Sequence, residues 1–592
     1  MTKKSGALPM VGGGENSVRL EGIQAPPLGR AAQASLEKFG IVGNEDCRKQ
    51  FYQKGWWRDS TAIDDFEQIS RTSPMKTAVV TNFIESARVE ETSYSDLAMF
   101  VNRISAFLVE NGVSVGDVVS VQLPNWWQFN AIALATLRIG AVLNPIIPAH
   151  RERDVGFMAR LVSSKMCFIP SIYRGFDYPA MMLKVASDLP FLTHTVVVNG
   201  EIRHGFVSFE EDVLGYPWEE RNKTCLVAIK PDPDQITEIL FTSGTTGEPK
   251  GVGHTHNTMF ARARSIYEVL GLSAEDVVFM PSTLGHSTGF IYGCITPAML
   301  GMKAVYQDIW DPEKALDIIE REKVTWSFTS TTFVIDLIRA QRRSPRKLSS
   351  LRYLVSGGAT IPPAVVKETK AVLSARLMAV WGMTENGAVT CTRPGEAEFA
   401  ASSSDGLPSP WMEIRVTDPA TGKVLGLDTV GELKVRGASQ MLGYVNRPKF
   451  NLACTDADGW FSTGDLARID SQGHLRVTGR IKDLIIRGGE NVPVAEIESL
   501  LYGHPAISDI AIVAYFDERL GERACAVAVP NVGSELRLED LTAYLESAGV
   551  AKVYWPERLM ILDALPYNAT GKVQKFRLKQ MIADQQSLEE GN

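Results

Sequence analysis

The stretch LFTSGTTGEPKGVGHTH, Leu240–His256, restricts the possible folds more than any other part of the chain. An apolar run (Ile236, Ile239, Leu240, Phe241) reads as a strand, the Ser/Thr/Gly/Pro/Lys segment after it as a loop, and a helix can begin at Asn257. Strand, glycine-rich loop and helix in that order make an anion cradle. Gly244 and Gly247 let backbone amides converge without Cβ interference, Thr242, Ser243, Thr245 and Thr246 add hydroxyl donors, and Lys250 adds a positive charge. Polyphosphate suits such a loop. The common loop G-x-x-x-x-G-K-[ST] is excluded, because Pro249 precedes Lys250 and Gly251 follows it, so a different nucleotide fold is implied.

At 592 residues the chain exceeds one ordinary core, and two or more domains are expected. A net charge of -8 argues against a dedicated nucleic-acid binder, whose affinity comes from basic surface, but leaves room for a nucleotide held by a few local cations. Seven cysteines, scattered singly with no CxxC, suit free thiols in a reducing compartment. The start has a basic tip with no apolar core behind it, and the C-terminal LEEGN carries no address signal. Trp126 to Pro148 is the most apolar region, but Asn130, Arg138, Asn144 and Pro145 interrupt it, which predicts a buried helix and strand rather than a membrane span. A cytoplasmic location is expected.

Residues 1 to about 45 show little periodicity and are expected to lie loosely on the surface. Residues 1–70 together read as an extension whose aromatic part (Phe51, Tyr52, Trp56, Trp57) docks onto the main body. From about 75 to 356 helices and strands alternate, as in α/β architecture. Glu413 to Val477 shifts to short runs such as GELKVRG and GHLRVTG, better explained by antiparallel strands. A last piece, 482–592, reads as a small α+β domain ending in a basic tail, with the boundary near Lys482. The fold class is therefore α/β: a large domain (71–481) of mixed sheets flanked by helices, with a β-rich subdomain, followed by a small mobile α+β domain.

Beyond the phosphate loop, SGGA (Ser356–Ala359), WGMTE (Trp381–Glu385), FSTGD (Phe461–Asp465), Gly479-Arg480 and LPYNATGKVQKF (Leu565–Phe576) follow in order. With these motifs the chain resembles the adenylate-forming (ANL) superfamily, which includes acyl-CoA synthetases and peptide-synthetase adenylation domains, over about residues 75 to 585. The resemblance implies ATP and Mg2+. It places Gly358 and Ala359 against the base, and Trp381, Gly382 and Met383 around adenine. Thr384 would contact the α-phosphate, Glu385 would hold the metal, and Asp465 and Arg480 the ribose. Hard Mg2+ wants carboxylate and phosphate oxygens. Trp381 stands where Tyr is commoner, and Tyr567 where Arg or Lys is frequent.

By the same resemblance, Lys572 bridges the carboxylate substrate and the α-phosphate, stabilising charge that develops on phosphorus. The reaction implied has two steps: a carboxylate attacks the α-phosphorus and expels pyrophosphate, then a thiol attacks the acyl-adenylate and AMP leaves. A hinge matching Lys482 would rotate the small domain between steps, bringing Gly488 and Gly489 to a channel for the CoA co-substrate. His286, Thr288, Phe290, Thr331 and Val380 would line the acyl site. With no lysine or arginine evident there to pair a second carboxylate, a hydrophobic acid is expected. The wording is closest to bacterial ligases for medium-chain, alicyclic or aryl-substituted acids. The expected activity is an AMP-forming acyl-CoA ligase with small-molecule partners, a homodimer being open. Loading of a carrier protein is the alternative, although the chain ends about twenty residues after Lys572 without a fused carrier. A non-catalytic sensor is a third reading, which the presence of Lys572 opposes.

Overall fold

The computed structural model describes residues 25–221, 223–242, 249–359, 361–487, 490–517, 519–567 and 572–590. Among these, two large sheets carry the main body. One has nine strands, in the order Leu407–Pro408, Gly387–Cys391, Arg376–Met383, Tyr353–Gly357, Trp326–Thr329, Val277–Met280, Lys303–Gln307, Thr77–Phe83 and Arg88–Ser93. The six from Arg376 to Thr77 run parallel, and the edges are antiparallel. The other has eight strands, running from Gly443–Tyr444 through Lys250–Thr255, Ile236–Thr242, Val142–Pro145, Val118–Val121, Ser164–Pro170 and His194–Val198 to Val207–Ser208. Parallel strands so buried need apolar residues on both faces, as in the all-buried VVSV of Val118–Val121.

The helix Trp127–Arg138 is buried at every residue but its last, its polar Gln128, Asn130 and Thr136 included, and it lies in the core shared by strands of both sheets. It is the predicted buried helix. Among the described residues no helix is long and apolar enough to cross a membrane.

A four-stranded antiparallel sheet follows (Met412–Thr417, Gly431–Gly437, Phe461–Ile469, Leu475–Arg480). After the turn Ile481–Asp483, which holds Lys482, a separate five-stranded sheet forms around the long hairpin Ile507–Asp517 and Gly521–Pro530, with its own apolar clusters on both faces.

Three expectations need correction. The segment before residue 45 is not loose throughout. Arg30–Lys38 is a helix, and Leu36, Phe39 and Ile41 are buried against Val118, Ile236, Ile239 and Val445. Three apolar residues over six positions are too short a pattern for periodicity to reveal. The basic tail is the helix Lys575–Glu590, anchored by buried Leu578 and Ile582, and Lys575 pairs with Glu498 at 2.6 Å rather than simply forming basic surface. Finally, Lys250–Thr255 is a strand, antiparallel to Ile236–Thr242, so the phosphate motif is a hairpin whose helix begins at His256.

The aromatic segment Phe51–Trp57 is held to the main body by side-chain hydrogen bonds. Arg48 Nε donates to Asp234 Oδ2 at 2.7 Å, Asn257 Nδ2 donates to Asp234 Oδ1 at 2.8 Å and to the Tyr52 hydroxyl at 2.9 Å, and Trp57 Nε1 donates to the Ala438 carbonyl at 2.9 Å. This network pins the start of the helix His256–Leu270, behind the phosphate hairpin.

Candidate active site

The ends of three strands converge on the candidate site, at the carboxyl edge where open α/β sheets bind ligands. Thr242 closes Ile236–Thr242, and in register it faces Lys250. Gly358 and Ala359 follow Tyr353–Gly357, while Trp381, Gly382 and Met383 end Arg376–Met383. Ser243, Gly244, Thr245, Thr246 and Gly247 of the loop, and Gly488 and Gly489, lie outside the described residues.

Thr384 and Glu385 sit in the tight connection to Gly387–Cys391. A side chain at Gly382 would meet the Gly387 carbonyl at 2.1 Å, so only glycine lets the connection close this tightly. His254 Nε2 donates to the Thr384 carbonyl at 2.8 Å and Met441 N donates to the Glu385 carbonyl at 2.6 Å, fixing the turn from beneath. Glu385 is buried, and its Oε1 accepts from the Tyr444 hydroxyl at 2.7 Å. The Tyr444 ring also lies 4.9 Å from Lys250 Nζ, with the Phe450 ring at 4.8 Å. One tyrosine therefore links the candidate metal carboxylate to the candidate phosphate lysine. Among the described residues no three His, Cys, Asp or Glu side chains gather to hold a metal alone. A single hard carboxylate fits Mg2+, which keeps waters and takes most of its ligands from phosphate.

Asp465 accepts from Trp381 Nε1 and from Arg480 Nε, each at 2.9 Å. Lys572 reaches this group from the small domain. Its Cε lies 3.0 Å from where a Cβ on Gly358 would stand, and Gly358 has φ +84, so glycine permits both the turn and the approach. Confinement and the nearby Arg480 charge push the Lys572 ammonium below the ordinary lysine range, against the pull of Asp465 and Glu385. Tyr567, on the same connection, donates to Asp509.

Among the residues expected to line the acyl site, the Thr288 amide donates to His286 Nδ1 at 3.3 Å, which leaves the imidazole proton on Nε2. Burial, then the charges of Lys572 and Arg262, push His286 down to about 3, so it is neutral at pH 7. The Lys572 charge thus bears on His286 as well as on the Asp465–Arg480 pair. Thr331 Oγ1 lies 3.2 Å from Ser356 Oγ, and Val380 is buried one strand away. Phe290 is fully buried, its ring centroid 6.4 Å from that of Phe129, and so forms part of the core wall.

Sequence reasoning missed Arg262, Glu238 and Tyr444. Arg262 Nη1 donates to Glu238 Oε2 at 2.8 Å with both side chains 0% exposed, and its other amino group donates to Ser287 Oγ in the acyl loop. A signal existed: Glu238 interrupts an otherwise apolar strand, and Arg262 falls on the apolar stripe Met259, Ala263, Ile266. Tyr444 had no local signal.

The family model for AMP-binding enzymes matches residues 66–445, and that for the AMP-binding enzyme C-terminal domain matches residues 496–572. The chain is 35% identical over 547 residues to the medium-chain fatty-acid–CoA ligase of Escherichia coli K12, covering 92% of this chain and 94% of that one. It is 34% identical over 536 residues to the salicyl-AMP ligase / salicyl-S-ArCP synthetase of Mycobacterium tuberculosis, covering 90% and 92%. The crystal structure of ATP-bound MatB from Rhodopseudomonas palustris superimposes with a TM-score of 0.77 at 25% identity, covering 88% of this chain and 99% of that one. Strand ends, small-domain lysine and matched models agree: the chain belongs to the AMP-binding enzyme family, the adenylate-forming superfamily.

Proposed function

We propose that this enzyme activates a hydrophobic carboxylic acid (medium-chain, alicyclic or aryl-alkyl) with ATP, releases pyrophosphate, and transfers the acyl group from acyl-AMP to CoA. In this reading the chain is an AMP-forming acid–thiol ligase. The observation that carries it is the position of Lys572, drawn from the small domain to a point whose charge acts on His286 on the acyl side and which lies beside Gly358, Asp465 and Glu385 on the nucleotide side.

Lys250 and the hydroxyls and amides of the phosphate loop hold the β- and γ-phosphates, Thr384 contacts the α-phosphate, and Asp465 with Arg480 takes the ribose. Glu385, oriented by Tyr444, would hold Mg2+, which when bound offsets the charge of the departing pyrophosphate. Lys572 meets the carboxylate oxygen and the α-phosphate where charge builds up in the transition state. The burial that lowers the Lys572 pKa also favours returning its charge to water when the small domain withdraws. Rotation at Lys482 then removes it and brings Gly488 and Gly489 to the thiol channel. Arg262 does not call for a second carboxylate on the acid, because Glu238 already neutralises it.

The test is pyrophosphate release from MgATP across linear C4 to C12, cyclohexyl, aryl-propionic and steroid side-chain acids, with and without CoA. Turnover that depends on CoA for a hydrophobic acid supports the reading; no release with any acid sinks it. A second reading, acyl transfer to a carrier protein, is favoured by the similarity to a salicyl-S-ArCP synthetase. Release limited to about one equivalent and indifferent to CoA would select it.

A further inference from the structure

Among the described residues, three hydrogen bonds seat Asp465. Its amide donates to Thr463 Oγ1 at 3.1 Å, Arg480 Nε donates to Oδ1 at 2.9 Å, and the indole N–H of Trp381 donates to Oδ2 at 2.9 Å. The two side-chain donors differ in kind. Arg480 lies across the antiparallel strand pair with its side chain 51% exposed, whereas Trp381 is buried in a cluster with Trp411, Tyr444 and Phe461. Each carboxylate oxygen has two lone-pair directions, so one protein donor on each leaves one further acceptor site on each. Two such sites on one carboxylate suit a vicinal diol.

We propose that Trp381 is a positioning residue for nucleotide selection: its buried N–H fixes the Asp465 carboxylate so that the free acceptor sites meet the 2′- and 3′-hydroxyls of ribose. The inference rests on the proposed reading of Asp465 as the ribose carboxylate. Of the two donors the indole is the stiffer. An exposed arginine keeps much of its rotamer freedom, while a packed indole has one position and donates to a charged acceptor away from water. A phenyl ring has no donor, and a phenol carries its hydroxyl at the far end of the ring, so neither reproduces the bond.

The experiment compares the full chain with two variants. Trp381→Phe keeps an aromatic ring and deletes the donor. Replacing Trp381 with β-(3-benzothienyl)alanine keeps the indole outline and puts sulfur where the N–H was. Calorimetric titration with AMP, 2′-deoxy-AMP and 3′-deoxy-AMP gives three affinities for each protein. We expect the wild type to prefer AMP to both deoxynucleotides, and both replacements to shrink that preference by about three- to tenfold, chiefly through weaker AMP binding. Weakening by one common factor for all three nucleotides, with the preference intact, overturns the positioning role and leaves Asp465 as the ribose carboxylate. Absence of any preference in the wild type overturns the ribose reading and the inference with it. If Trp381→Phe does not fold, the benzothienyl protein carries the comparison.

Discussion

Two arginine–carboxylate pairs border the site and are built in opposite ways. Arg262–Glu238, behind the acyl loop, is 0% exposed on both sides, and Arg262 Nε and Glu238 Oε1 have no hydrogen-bond partner within the described residues. Arg480–Asp465, on the nucleotide side, has a similar separation of 2.9 Å, but the arginine is 51% exposed. The buried pair is spent on the protein itself: its remaining bond holds Ser287, and its desolvation is offset by mutual attraction. The open pair keeps lone pairs available. One side of the site is thus polarised and sealed, the other polarised and ready for a ligand.

The comparison breaks first at the sealed pair. Arg262→Met leaves Glu238 buried and alone, and should lower unfolding stability by about 3–5 kcal/mol, with Glu238→Gln in the same chain recovering much of it. Arg480→Met should cost less than about 1 kcal/mol in the same denaturant titration while weakening nucleotide binding. Equal stability losses would show that exposure does not separate the two pairs. Next comes Lys572, where the two sides meet. Lys572→Ala should slow adenylate formation by about 10²–10³-fold yet spare transfer from a supplied acyl-adenylate. Because its pKa is lowered, the alkaline fall of the adenylation rate should begin below the range of an ordinary lysine, and the variant's residual rate should lack that limb. Equal loss of both half-reactions would contradict the assigned role. On the ligand-ready side, Glu385→Gln should raise the Mg2+ needed for half-maximal rate about tenfold or more, and Tyr444→Phe should raise it less. An unchanged metal dependence in Glu385→Gln would count against Glu385.

Much of this arrangement was legible before the structure. The strand Ile236–Thr242 is legible from its apolar run ahead of a glycine-rich loop, and the buried helix Trp127–Arg138 from an apolar region too interrupted by polar residues to span a membrane. Trp381, Glu385, Asp465 and Lys572 were found through contiguous motifs, and the fold brings them together. What stayed hidden depends on distant partners. Lys250–Thr255 has a loop's composition and becomes a strand because Ile236–Thr242 and Gly443–Tyr444 supply ladder partners on both sides. Leu36, in a nine-residue helix, and Phe39 at its C-cap gain their stability from packing on the face of the eight-stranded sheet, with the Ile236 amide donating to Ser35 Oγ at 3.0 Å. Tyr444 gains its significance from Glu385, fifty-nine positions earlier in the chain.

The smallest effect tests how well the acyl side is sealed. Burial, reinforced by the Arg262 charge at His254 and by Lys572 and then Arg262 at His286, holds His254 well below the ordinary histidine range and His286 at about 3, while burial is the chief cause that brings His256 to about 4. In each case the folded pKa lies below the unfolded value. Between that unfolded value, near 6.5, and the folded one, the unfolded chain therefore binds more protons than the folded chain. Stability must fall as pH falls through this window, by at most about 1.4 kcal/mol per pH unit for each such histidine, and the contribution is fully present above it. His254 is the clearest case. Its Nε2 donates to the Thr384 carbonyl, so acid must place the second proton on Nδ1, which faces the Thr258 hydroxyl at 3.1 Å in a site that already holds Arg262. Urea titrations at pH 7, 6 and 5 should show an accelerating loss, and His254→Gln, which keeps a donor without a titrating ring, should flatten the pH 6 to 5 step by up to one proton's worth. An identical slope in wild type and variant would mean that water reaches His254 freely, and the contrast between a sealed acyl side and an open nucleotide side would then fail at the residue that holds the Thr384 carbonyl.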